Sequence, residues 1–209
     1  MSIPKTSLAH AWVQQVSHCA DSDLPDYVRR GILSCGDSAG KLLGDLLIEP
    51  ATWDTRVAEH AIVLLGELRH EPALGHLTDL LWDEPEYQEE DHNALMAFGD
   101  EAIPYLVRGL RNGFTEVAYT LVQLAAGKGR ADVREVFEEV LEAEPDAVVD
   151  VLAALGDSGL VPAMLAALRR LDETDPLLAH TIVDLVDAIT ALGGDPGELG
   201  AEKAHAVRV

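Results

Sequence analysis

The stretch LLGELRHEPALGHLTDLLW, Leu64 to Trp82, sets His70 beside Glu71 and places His76 six residues after His70. Imidazole and carboxylate are zinc and iron ligands, and the pattern H-E-x-x-H would put two imidazoles on one helix face with the glutamate as base. The spacing here misses, since six residues leave His70 and His76 about 120° off a common face, with Pro72 between them. The residue types allow a metal cluster of His60, His70, His76 and His92. The expectation is instead that these histidines are exposed or cap helices, with no metal and no cofactor. GDSAG, Gly36 to Gly40, fits a nucleophile elbow with Ser38 as nucleophile, but that motif needs a strand leading into the turn. A helical run leads in, and Gly-Asp-Ser recurs at Gly156 to Ser158. GDSAGK is one residue short of a phosphate loop and has Leu42 where Ser or Thr is required. DEPEYQEED, Asp83 to Asp91, places six carboxylates in nine residues without the spacing of a calcium loop. It reads as a solvated acidic loop or, with Trp82 and Tyr87 beside it, as an arm for a basic segment.

The elements that must position these residues repeat. ILSCGDSAGKLLGDLL, LLGELRHEPALGHLTDLL, ALMAFGDEAIPYLVRGL and VLAALGDSGLVPAMLAAL share one plan: an apolar helical run, a short turn, a second apolar helical run. Turn anchors at Gly36, Arg69, Gly99, Gly127, Gly156 and Gly193 are 33, 30, 28, 29 and 37 residues apart, the period of helical-hairpin repeats. Glycine can end the first helix in a left-handed conformation, and the aspartate after it can cap the second. In ADVREVFEEVLEAE, Val133, Val136, Phe137, Val140 and Leu141 share one face and Glu135, Glu138, Glu139 and Glu142 the other. Leu8, Trp12, Val16 and Cys19 form the stripe of an N-terminal capping helix.

GDEAIPYLVRGL and GDSGLVPAMLAAL resemble the short HEAT-like repeats of bilin-lyase-related proteins in their small-residue turn, early proline and L-x-x-L spacing. LLGELRHEPALGHLTDLL is similar to the same consensus. The resemblance covers residues 25 to 170 and extends more weakly to 195. It implies an all-α fold, a right-handed α-α superhelix of about six hairpins in a single domain, 1–209. Residues 1–24 are then the capping helix, 25–170 the core repeats and 171–209 an atypical final repeat and cap. The family includes scaffolds, adaptors and a few enzymes, so the resemblance names no activity. Its iron-dependent hydroxylases use several His-Glu pairs at helix starts. This chain has one, because Glu59-His60 reverses the order and Asp91-His92 reverses it with an aspartate.

At 209 residues and 48% hydrophobic, the chain is long enough to bury roughly 70% of its unfolded surface. Two cysteines, Cys19 and Cys35, make no CxxC pair, which points to a reducing compartment. The start lacks a signal-like apolar segment and no apolar run reaches membrane-span length, so a soluble cytoplasmic protein is expected. With 37 Asp and Glu against 15 Lys and Arg, the net charge is -22, which repels a phosphate backbone. Nucleic acid is therefore not an expected partner, and a HEAT-like DNA-repair role is disfavoured. The acidity fits either a binding surface or the habit of an acidic, salt-adapted proteome.

In such solenoids the second helices line the binding face. Aligning them on the early proline brings Asp45, Asp79, Arg108 and Glu138 to one level and His76, Tyr105 and Glu135 to another. The pattern is acidic on both sides of an island of Tyr105, Arg108 and Arg111, with Trp82 beside the acidic arm. The expected function is a non-catalytic scaffold or adaptor that binds a partner's basic segment. The alternative is an enzyme, a metal-dependent hydroxylase or a bilin-lyase-like protein.

Overall fold

The computed structural model describes residues 5–20, 22–48, 56–83 and 88–208, and no strand occurs among them. The helices are α1 (Lys5–Ser17), α2 (Asp26–Cys35), α3 (Asp37–Ile48), α4 (Arg56–Leu68), α5 (Leu74–Asp83), α6 (Gln88–Phe98) and α7 (Ile103–Arg111). They continue with α8 (Val117–Ala125), α9 (Ala131–Ala143), α10 (Val149–Leu155), α11 (Val161–Arg170), α12 (Ala179–Ala191) and α13 (Gly197–Arg208). The protein is all-α. Its contacts divide it into two compact units, Met1–Tyr105 and Leu106–Val209.

All six turn anchors have positive φ: 57° at Gly36, 49° at Arg69, 65° at Gly99, 69° at Gly127, 72° at Gly156 and 78° at Gly193. Five are glycine, which enters this region without a Cβ penalty. Arg69 is the one non-glycine residue with positive φ among the described residues, a conformation that costs an L-residue roughly 1–2 kcal/mol. Its guanidinium donates to the Phe98 carbonyl at 2.8 Å and to Glu101 at 3.1 Å, tying its turn to the next one.

The aspartate cap expected after each glycine is made at Asp157, whose carboxylate accepts from the Gly159 N–H at 2.9 Å. At Asp37 it is not made. There α3 starts directly after the glycine, Ala39 and Gly40 donate to the Gly36 carbonyl, and the Asp37 side chain is 97% exposed. The cap position falls on Gly36, so Asp37 is already inside the helix.

In the first unit α1 packs on α2, α3 and α4, while α2 lies on α4 and α4 on α6. Where backbones approach closely, glycine makes the room: a Cβ at Gly31 would lie 2.4 Å from the Trp12 ring, and one at Gly66 2.6 Å from Ala94. The stripe of α1 is centred on Ala9, Val13 and Val16, with Cys19 buried after the helix; Leu8, expected inside, is 37% exposed. In the second unit α8 lies on α10, α10 on α12 and α9 on α11. Phe98 in one unit and Phe137 in the other are fully buried, each burial stabilising by roughly 1.5–3 kcal/mol. Cys19 and Cys35 are buried free thiols. No helix among the described residues is long and apolar enough to cross a membrane.

Candidate functional site

In the first unit α3, the turn before α5, and α5 enclose a cleft of about 190 Å³ lined by Lys41, Gly44, Asp45, Leu47, Ile48, His70, Pro72, Ala73 and His76. Asp45 and His76, aligned from sequence one level apart, are brought together here. Asp45 is exposed and has no ion-pair partner among the described residues. His76 Nε2 donates to the Leu47 carbonyl at 3.4 Å, so α5 meets one of the last-turn carbonyls of α3 that the helix itself leaves unpaired. His70 is buried against α3, where Gly40 makes its seat: a Cβ there would stand 2.5 Å from the imidazole ring. His70 Nδ1 has no hydrogen bond and lies 3.7 Å from an Asp37 oxygen. Asp79 is exposed one turn further along α5.

In the second unit α9 carries four exposed glutamates, Glu135, Glu138, Glu139 and Glu142. Arg111 reaches across to them, with Nε 2.8 Å from Glu139 and a terminal nitrogen 3.2 Å from Glu135. The Glu139 hydrogen bond, more than any other contact, raises the guanidinium pKa and keeps the charge fixed. Arg111 is therefore already paired with carboxylates, and Glu135 is one of its partners. Arg108 is exposed on α7, and Tyr105, in the first unit, is half-buried. Trp82 is the penultimate residue of α5, but its side chain lies outside the described residues, as does Tyr87.

His70 and His76 share the cleft between α3 and α5, and His60 and His92 stand outside it. His60 is buried on α4 with Nε2 donating to the Ser22 carbonyl at 2.9 Å. His92 is half-buried on α6, and burial lowers its pKa toward the neutral imidazole. His60 and His70 are thus buried, not exposed; His70 does stand at the N-cap position of the turn before α5, but its side chain makes no capping bond. Among the described residues no three His, Cys, Asp or Glu side chains gather closely enough to hold a metal ion. Ser38 sits in the first turn of α3, with α2 leading in, so the local geometry is that of a helical hairpin.

One residue escaped the reading of the acidic stretch as a solvated segment. Residues 84–87 lie outside the described residues, but Gln88 to Asp91 open α6, and Asp91 is fully buried. Neither carboxylate oxygen has a hydrogen bond, and desolvation raises the pKa well above the ordinary value. The signal was present: Asp91, Ala94, Leu95 and Phe98 fall at i, i+3, i+4 and i+7, the spacing of a buried face.

These features define an all-helical protein of helical hairpins, with a cleft between α3 and α5 in one unit and exposed acids on α3, α5 and α9. Comparison with protein-family models, curated proteins and solved structures found no match.

Proposed function

We propose that this chain is a non-catalytic scaffold whose hairpins belong to the HEAT-like solenoid class, and that it holds a basic segment of a partner protein on the exposed faces of its second helices. The observation that carries the reading is the charge of those faces. Asp45 on α3, Asp79 on α5 and Glu138 on α9 are exposed and make no salt bridge among the described residues, while Arg111 is held by Glu135 and Glu139, and Arg134, one turn before Glu138, is held by Asp157. A net charge of -22 steers cations toward these faces over distances of about a Debye length, roughly 10 Å at 0.1 M salt. First helices stacked on first helices, α2–α4–α6 in one unit and α8–α10–α12 in the other, support the repeat assignment.

The test is titration of the full chain with a fluorescein-labelled peptide rich in Lys and Arg, against a Glu-rich control, at low and high salt. The basic peptide should bind and lose affinity with salt. The double variant Asp79→Lys, Glu138→Lys should bind it more weakly and with a shallower salt dependence. Equal binding by native and variant chains would overturn the proposal.

A further inference from the structure

We infer that the cleft between α3 and α5 is an anchor pocket for one apolar side chain of leucine or phenylalanine size, carried by the basic segment next to an arginine or lysine that pairs with Asp45. This rests on the scaffold reading above and names the chemistry of the partner.

Size comes first. The cleft holds about 190 Å³, and an apolar cavity of about 150 Å³ accepts benzene. Its walls include Leu47, Ile48, Pro72 and Ala73, and Ile48 is 69% exposed at the edge, an apolar surface that a guest would cover.

Gly44 is the second observation. It lies inside α3, where glycine is a poor helix former, and a Cβ built there meets nothing within 4 Å. Gly31, Gly40 and Gly66 are explained by a ring or backbone pressed against them; Gly44 is not. What its missing side chain does is leave the cleft open.

The rim supplies the charge. Asp45 is exposed at the cleft, so a cation beside the anchor finds a carboxylate. Lys41, one turn earlier on the same helix, repels a second cation at that end and so fixes the direction of the segment. His76, bonded to the Leu47 carbonyl, braces the wall.

The experiment uses the full chain and two labelled synthetic peptides rich in Lys and Arg, one with a single central Phe and one with Ala in its place, read by fluorescence anisotropy. The native chain should bind the Phe peptide about tenfold more tightly, the worth of burying a large apolar side chain. Gly44→Leu fills the cleft and should abolish the preference, so that the Phe and Ala peptides bind it with equal affinity. Ile48→Ser, at an exposed position, should remove part of the preference and guards against misfolding of the first variant. If both peptides bind equally and with salt dependence, or if neither variant alters the Phe preference, the pocket assignment fails and the scaffold reading stands. If neither peptide binds at low salt, the scaffold reading fails and takes the pocket with it.

Discussion

Burial at Asp91 costs free energy, because both oxygens lack hydrogen-bond partners among the described residues and desolvation dominates at the carboxyl. Among the described residues, the groups on the elements packed against α6 are engaged elsewhere or exposed. On α4, Arg56 pairs with Asp23 and Glu59, His60 with the Ser22 carbonyl and Glu67 with Arg29. On α5, His76 meets Leu47 and Asp79 faces solvent, and in the turn after α6 Glu101 meets Arg69. An unpaired buried polar group costs about 1–3 kcal/mol even when neutral. The sign with pH follows from the raised folded pKa. The native state holds its proton where the unfolded chain, with a pKa of about 3.9, has lost it, so stability is full below that value and falls as pH rises through the folded pKa. Asp91→Asn should remove this slope, with the gain over the native chain growing from acid to alkaline conditions in urea unfolding. Parallel slopes for the two proteins would refute it. Arg69 makes a second test. Substitution by alanine loses the bond to Phe98 and keeps the strained φ, whereas substitution by glycine loses the same bond and removes the strain. Glycine should therefore be the more stable of the two by about 1 kcal/mol, against the usual order, as read from denaturant midpoints.

At the scale of the helix, two glycines one turn apart on α3 should answer the same substitution with opposite signs. Gly40→Ala drives a Cβ into the His70 ring and should cost about 1–3 kcal/mol, as overpacking does. Gly44→Ala meets only open space and should gain about 0.5–1 kcal/mol from helix propensity. Thermal unfolding of the two variants decides it, and a loss at both positions would mean that the cleft is not open at Gly44. The elements themselves were legible because their marks are local: a positive-φ turn residue every 28 to 37 positions and a period-3.6 face between the turns. Even Arg69 could be placed, by its alignment with glycines. Long-range pairing was not legible. That Arg111 is spent on Glu135 and Glu139 depends on residues up to 28 positions away, and that His70 is buried depends on the seat at Gly40. The stripe of α1 was misplaced at Leu8 for a related reason, since the neighbours α2, α3 and α4 choose which side of a short apolar helix is covered.

For the whole chain the governing quantity is the excess of carboxylates. If each of the 15 cations took one of the 37 acids, 22 would still be unpaired. Exposed or half-exposed pairs such as Arg69 with Glu101 or Arg130 with Asp132 stabilise by about 0–1 kcal/mol each and weaken when salt is added. Repulsion among the unpaired acids weakens with salt too, and it destabilises the compact state. The two responses oppose one another, and the number of unpaired acids decides between them: repulsion should win, so the melting temperature should rise as sodium chloride goes from low to physiological concentration. Affinity for a basic peptide should fall over the same range, because that attraction is between charges of opposite sign. A fold tightened by salt and a partner released by it are therefore expected together. A melting temperature that fell with salt would show that the paired charges, not the excess, dominate the stability of this chain.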